Sequence, residues 1–126
     1  MIEALFNDPN YLAGKKTLDA IALRQEAIAT NIANLETPGY RRVDLAPTFQ
    51  AELERASAAG DVRQLSALKP TLASDATAVP NSRDGNTVNL ETEMLHLNQN
   101  TLAHAVETQL VSAQLLKLRL AITGRT

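Results

Sequence analysis

Thr30-Asn31-Ile32-Ala33-Asn34-Leu35-Glu36-Thr37-Pro38-Gly39-Tyr40 divides the chain into parts of different character. A long stretch of helical apolar spacing precedes it, a turn-rich middle follows, and a second long helical pattern closes the chain. Pro38 pushes Thr37 out of the helical region toward extended geometry. Pro38-Gly39 then suits positions i+1 and i+2 of a type II turn, one needing a fixed φ and the other a positive φ. Asn31 and Asn34 sit one helical turn apart, where short amide side chains satisfy carbonyls left open at a helix end. The stretch reads as a helix stop followed by a sharp turn.

Upstream, Asp8-Pro9 marks a helix start, with Asp8 as N-cap and Pro9 at the first helical position. From there Tyr11, Gly14, Leu18, Ile21, Gln25, Ile28, Ile32 and Leu35 follow a 3-4 spacing, the period of a left-handed supercoil seam. The spacing predicts a helix over residues 9–35. Gly14 weakens its first turns by about 1 kcal/mol relative to alanine. Ala20, Ala22, Ala27, Ala29 and Ala33 flank the seam, small enough for neighbouring helices to approach on more than one side.

Downstream, residues 36–86 form a turn and an irregular insert. Pro47 to Ala59 reads as one amphipathic helix, with Phe49, Leu53 and Ala56 on one face and Gly60 ending it. Asp61 to Leu68 adds a further turn or a short strand. Pro70 to Asn86 is rich in Pro, Ser, Thr, Ala and Asp without periodicity, so it is expected to be partly disordered and to order against neighbours. The closing helix is expected over residues 87–123, capped by Asn86 or Thr87 and ended by Gly124. Glu91 and Glu93 complement its N-terminal dipole. Leu90, Met94, Leu97, Thr101, His104, Thr108, Val111, Leu115, Leu118 and Ile122 continue the 3-4 spacing. A second stripe, led by Leu95, Leu102, Val106 and Leu110, lies on another face. At roughly 34 residues this helix would reach about 50 Å, too long for a compact domain of this size. With one partner helix in the chain, its second stripe stays exposed and marks an interface.

The 126 residues suit a single domain, but two Phe, two Tyr and no Trp leave few large core-fillers. Leu and Ala carry most of the 44% apolar content, as in helices packed along a seam. A net charge of −2 and no basic cluster longer than two residues argue against nucleic acid. The absence of cysteine excludes disulfides and thiolate metal sites. No segment approaches the ~20 apolar residues of a membrane span. The N-terminus lacks a basic start and an apolar core of signal-peptide length, so a cytosolic protein or export without a cleaved signal is expected.

Asn31-x-Ala33-Asn34-x-x-Thr37-Pro38-Gly39-Tyr40 resembles the signature of the flagellar axial (rod and hook) protein family. The flanks Arg24-Gln25-Glu26 and Arg41-Arg42-Val43-Asp44, with Phe49 beyond, resemble its proximal rod members. Asp84-Gly85-Asn86-x-Val88-x-Leu90-Glu91-x-Glu93-Met94 is similar to the family's entry into its C-terminal helix, with Asn89 where an acidic first-turn residue is expected. The resemblance covers roughly residues 18–50 and 83–122. It implies a structural subunit of the flagellar proximal rod that transmits torque and joins the basal-body ring and export gate to the distal rod. It further implies export through the flagellar type III apparatus to a periplasmic rod, and assembly with copies of itself, other rod proteins and ring or export-gate proteins. The turn residues Asn31, Ala33, Asn34, Thr37, Pro38, Gly39 and Tyr40 would fix how the middle leaves the helix pair. Leu18, Ile21, Ile28, Ile32, Leu90, Met94, Leu97, Val111, Leu115, Leu118 and Ile122 would form the assembly seam.

No catalytic constellation stands out, and no cofactor or small-molecule substrate is expected. Glu93-x-x-His96 has the spacing of a di-iron helix, but a second such pair is missing and His104 follows Thr101 instead. Thr101, His104 and Thr108 read better as polar residues that set helix register. No nucleophile elbow or phosphate-binding glycine loop occurs, and no carboxylate pair among fourteen acids is singled out for glycan cleavage. Arg41-Arg42 reads as solvated surface or as an intersubunit salt bridge. The expected fold is all-α: an elongated antiparallel coiled-coil pair of terminal helices with an irregular, partly disordered middle. The rival readings are a soluble helical adaptor or export chaperone, which needs no Thr-Pro-Gly-Tyr turn, and an enzyme acting on peptidoglycan.

Overall fold

The computed structural model describes residues 6–124. Two long helices, α1 (Pro9–Ala33) and α4 (Leu90–Thr123), frame a middle segment. That segment holds strand β1 (Val43–Leu45), helices α2 (Pro47–Ala59) and α3 (Val62–Ala67), and strand β2 (Leu72–Ser74). The fold is mostly helical with an irregular middle, as expected. Residues 1–5, where an export signal would begin, lie outside the described residues.

Helix α1 starts as its sequence dictates. Asp8 Oδ1 accepts from the N–H groups of Asn10 (2.8 Å) and Tyr11 (3.3 Å), and Pro9 occupies the first turn. It ends at Ala33, not Leu35, because Asn34 leaves helical geometry and turns its side-chain N–H back to the carbonyl of Thr30 (2.8 Å). Its inner side divides into two adjacent rows. Gly14, Ile21 and Ile28 are buried on one, and Ala20 and Ala27 on the next.

The first row meets α4. Asn31 pairs with Glu93, Asn100 Nδ2 donates to the Ile21 carbonyl, and Gly14 lies against Glu107 and Val111. Falling numbers on one helix match rising numbers on the other, so the pair is antiparallel. At Gly14 a Cβ would stand 2.9 Å from Val111 Cγ2. Val111 is β-branched and stiff in a helix, so glycine here sets the distance of closest approach. The helix-weakening glycine of the sequence is thus a contact point.

The second row meets the middle segment. Ala20 packs with Phe49, Leu53, Ala56, Leu65 and Leu68 in the hydrophobic core, with Leu12, Ala13 and Leu45 at its edge. Burying each Phe or Leu contributes about 1.5–3 kcal/mol. Pro47 opens α2 and Gly60 closes it in a left-handed conformation, at the expected ends. Asp61 caps α3 by accepting from the Gln64 N–H (3.0 Å), which decides residues 61–68 in favour of helix.

Strands β1 and β2 pair antiparallel, with Asp44 opposite Ala73. Residues 70–86 therefore find partners within the chain. They lack apolar periodicity because polar groups, described below, hold them.

Helix α4 is the outlier. Its 34 residues span about 51 Å, against about 38 Å for the 25 of α1. Only Glu93 and Asn100 of α4 are buried. The chain exposes 8477 Å², where a compact 13.6 kDa protein would expose about 6,600 Å².

Candidate functional site

The end of α1, the start of α4 and strand β1 meet at a polar junction. Asn31 is at its centre, fully buried on the last turn of α1. Its Nδ2 donates to the Val43 carbonyl (2.8 Å) and to Glu93 Oε2 (3.2 Å). Its Oδ1 accepts from the Val43 N–H (2.9 Å) and the Tyr40 hydroxyl (3.2 Å). One amide side chain thus does for the free edge of β1 what a neighbouring strand would do. It satisfies β1 and not the helix end.

Arg42 lies beside it. Its Nε donates to Glu93 Oε1 (2.7 Å), its Nη1 to Asp75 Oδ2, and its Nη2 to Asp44 Oδ2 (3.2 Å). Arg24 Nη2 also donates to Asp44 Oδ2 (3.3 Å), so Asp44 bridges two cations. The expectation of a solvated arginine pair holds for exposed Arg41 and is corrected for Arg42, which is 5% exposed among three carboxylates. Burial opposes the Arg42 charge, but hydrogen bonds to Glu93, Asp75 and Asp44 outweigh it and raise its pKa above the ordinary value. Tyr40 is also raised, by burial first and then by the Glu93 charge, against a smaller opposing effect of Arg42.

Asp75 is pushed down to about 2, first by the Thr77 hydroxyl and further by the Thr77 N–H and Arg42, against the opposing effect of burial. Its folded pKa lies below the ordinary 3.8. The stabilisation is therefore complete above about pH 4 and is lost as pH falls toward 2, an amount of about 2 kcal/mol. Urea unfolding between pH 5 and 2 should show Asp75→Asn losing less stability on acidification than the parent. Parallel pH curves for the two proteins would contradict this.

The turn itself follows the expected pattern. Gly39 has φ +71°, and the Tyr40 N–H donates to the Thr37 carbonyl (3.2 Å). The Gly39 N–H reaches the Asp84 carbonyl at 2.8 Å, docking this turn on the loop before α4. Asn86, buried, completes the dock. Its Nδ2 lies within hydrogen-bond distance of the carbonyls of Asn34 (2.9 Å), Leu35 (3.0 Å) and Thr37 (2.8 Å). These carbonyls belong to the turn that follows α1, so Asn86 holds that turn from as far as 52 residues away, while Asn34 caps the helix itself. Neither Asn86 nor Thr87 caps α4, a correction to the expectation. Thr87 Oγ1 instead accepts the Arg42 N–H (2.8 Å), and Asn89 caps α4 by accepting from Thr92 N–H (3.1 Å). An asparagine in place of an acid at position 89 is a good cap.

The expected motif residues divide by role. Asn31, Asn34, Thr37, Gly39 and Tyr40 are joined by the bonds above, with Thr37 Oγ1 donating to Asn34 Oδ1 (3.1 Å). Ala33 and Pro38 are exposed. Of the expected seam, Ile21 and Ile28 are buried, and Leu18, Ile32, Leu97, Val111 and Leu118 are half-buried. Leu90, Met94, Leu115 and Ile122 are exposed. The face of α4 turned to α1 carries Glu93, Asn100, Glu107 and Gln114, one residue behind the apolar row from Met94. One residue turns the helix by about 100°. The rotation is driven by hydrogen bonding: Glu93 is held by Arg42 and Asn31, and Asn100 donates to the Ile21 carbonyl (3.1 Å) and Gln25 Oε1 (3.0 Å). Asn100 thus takes the register-setting part expected of Thr101 and His104, which are exposed. Both oxygens of Glu93 are engaged, so the Glu93-x-x-His96 pair offers no free carboxylate.

Residues Arg42, Asp75, Asn86, Glu93 and Asn100 are the ones apolar spacing missed. The seven-residue recurrence of Glu93, Asn100, Glu107 and Gln114 was the available signal. Outside the junction, α4 presents exposed Leu95, Leu102, Val106, Leu110, Leu116 and Leu120. From Met94 to Leu116 its sole acid or base of the Asp, Glu, Lys and Arg types is Glu107, whose pKa burial raises.

Comparison with known proteins gives consistent matches. A family model described as flagella basal body rod protein matches residues 13–41. The flagellar basal body rod protein FlgB of Borrelia hermsii is 33% identical over 111 residues, covering 74% of this chain and 80% of that protein. FlgB of Escherichia coli K12 is 32% identical over 115 residues, covering 80% and 83%. FlgB of Cereibacter sphaeroides is 35% identical over 109 residues, covering 80% and 84%.

Proposed function

The chain belongs to the FlgB family of flagellar basal body rod proteins, structural components of the rod, and on that premise we propose how it does this work. It acts as a single, non-catalytic rod unit that joins its neighbours through the outward face of α4 and transmits torque through the helix pair. The polar junction fixes the angle at which the middle segment leaves the pair. It reaches the periplasmic part of the basal body without a cleaved signal, and it assembles with copies of itself, other rod proteins and the ring or export gate.

The observation that carries this reading is the α4 surface. Leu95, Leu102, Val106, Leu110 and Leu116 lie exposed on the stretch of α4 from Met94 to Leu116, where Glu107 is the sole Asp, Glu, Lys or Arg. A patch of that kind is covered in the working state of a protein. The junction supports it, since the Pro38-Gly39 turn is tied to both terminal helices through Asp84, Asn86 and Asn31.

The test replaces the native chain in cells and reads rods and swimming. Leu102→Glu with Val106→Glu, both at exposed positions, should leave the purified protein helical and abolish basal-body rods and motility. A double variant that still swims would sink the reading. An adaptor or chaperone would remain outside isolated basal bodies, and recovery of the parent chain only in the cytosol would favour that rival. Pro38-Gly39→Ala-Ala tests the turn: the positive φ at position 39 costs alanine about 1–2 kcal/mol, and rod assembly should fall. Unchanged assembly and motility would remove the turn's role.

A further inference from the structure

Helix α4 outruns α1 at its C-terminal end, and what it carries there is apolar. Gly14 lies against Val111, and α1 starts five residues earlier, at Pro9. The helices are antiparallel with equal rise, so the cover from α1 ends near Leu116. Asp8, the N-cap, has extended geometry, so α1 stops short of the last turns of α4. There Leu115, Leu118 and Ile122, with Phe6, Arg119 and Thr123, line a groove of about 220 Å³. Leu115 and Ile122 are exposed and Leu118 is half-buried. We propose that residues 1–5 of this chain, Met1-Ile2-Glu3-Ala4-Leu5, dock in this groove, with Ile2 and Leu5 against Leu118 and Ile122 and Glu3 beside Arg119. The inference concerns the folded chain alone and does not depend on the rod-subunit reading.

Reach, pattern and charge agree. Phe6 already forms one wall of the groove, so Leu5 is a single peptide unit, about 3.8 Å, from it. The groove runs about 10 Å along α4 from Leu115 to Ile122. From Phe6 back to Ile2 the chain spans about 6 Å as helix and about 13 Å extended, so it reaches the far end either way. Ile2 and Leu5 stand three residues apart, the spacing that puts two side chains on one face of a helical turn. Glu3 is the only Asp, Glu, Lys or Arg of residues 1–5, and Arg119 is the only one among the described residues that line the groove. No carboxylate among the described residues lies within ion-pair distance of Arg119. A pair at this exposed rim contributes little energy and serves to orient the segment.

Size selects an occupant from the chain itself. Two turns of a helix about 10 Å wide offer on the order of 100 Å². A separate partner needs about 800 Å² for a stable complex. A tethered segment does not, because its effective concentration at the groove is in the millimolar range without any further contact. The docking divides α4 by task. Its last inward turns are closed within the chain, and the surface left for neighbours is the outward face led by Leu95, Leu102 and Val106.

The chain has no cysteine, so one introduced thiol reports whether the groove is covered. Ile122→Cys in the purified full chain should react with a water-soluble maleimide more slowly than in a chain that also carries Ile2→Ser and Leu5→Ser. The expected ratio is about tenfold, the factor that about 1.4 kcal/mol of docking gives. Glu3→Lys should speed the reaction, and adding Arg119→Glu to it should slow the reaction again. Leu116→Cys, exposed on another face of the same turns, should react at one rate in every background. Equal rates for Ile122→Cys with and without the serines would overturn the docking. Equal acceleration at Leu116→Cys would mean that the serines only fray α4, which also overturns it. A rate that falls as protein concentration rises, whatever stands at positions 2 and 5, would give the groove to a second copy and overturn the proposal too. If Ile122→Cys lowers the helix content by circular dichroism, Thr123→Cys reads the same groove. None of these outcomes bears on the rod reading, which is tested in basal bodies.

Discussion

Arg42→Ala should lower folding stability by about 3–5 kcal/mol, the range found when one partner of a buried ion pair is removed. The reason lies in what stays behind. Glu93 is fully buried and has Arg42 at 2.7 Å as its only cationic partner among the described residues. Without the guanidinium, a carboxylate remains enclosed with only the Asn31 amide at 3.2 Å to hold it. Asp75 loses its cation as well, and the loop after β2 is left with backbone bonds alone to hold it there. Urea denaturation of the purified chain reads the loss. The double variant Arg42→Met with Glu93→Leu removes both charges and should be more stable than Arg42→Ala alone, because no buried charge is left unpaired. A loss below about 1 kcal/mol for Arg42→Ala would place it among exposed ion pairs and contradict its burial.

Asn31→Ala should cost about 3 kcal/mol, from several buried polar groups that each lose a partner at roughly 1 kcal/mol or more. The Val43 N–H and carbonyl, Glu93 Oε2 and the Tyr40 hydroxyl all depend on it. Asn31→Asp keeps the size and one acceptor oxygen, yet it should rescue little. It cannot donate to the Val43 carbonyl, and it sets a second negative charge beside Glu93. Denaturation midpoints test both variants, and amide hydrogen exchange at Val43 should accelerate in each. Full rescue by aspartate would show that accepting from Val43 N–H is all that Asn31 does.

Much of the architecture was legible because it is written in local chemistry. Asp8-Pro9 at the start of α1, Pro47 and Gly60 around α2, and Pro38-Gly39 at the turn all act within a few residues of their position. The junction was less legible because its partners are far apart in sequence and polar. Nothing near Arg42 reports that Glu93, 51 positions away, will receive it. The apolar spacing placed Leu97, Val111 and Leu118 toward α1 correctly but put Leu90, Met94, Leu115 and Ile122 in the seam where Glu93, Asn100, Glu107 and Gln114 stand. Apolar spacing shows what a helix can bury, and hydrogen bonds from Glu93 and Asn100 chose which face it did bury. Residues 70–86 hid their order for a similar reason. Their fixed points are Asp75 and Asn86, and the turn-rich composition between them carries no period.

The distant ties of α1 and the turn after it bear on how the chain reaches its native state. Helical proteins usually fold fast because their contacts join residues close in sequence. Here the bonds that hold α1 and the turn after it come from residues far downstream: Asn86 reaches the Asn34 carbonyl across 52 positions, and Asn100 reaches Ile21 across 79. A ribosome-bound chain that ends before residue 86 holds an α1 capped by Asn34, but the turn after it lacks its dock and α4 is not there to pair. The loops that must close before these bonds form carry the entropy cost of a sheet protein rather than of a bundle. The terminal helices are therefore expected to lock together late, once the whole chain is present, despite the high helix content.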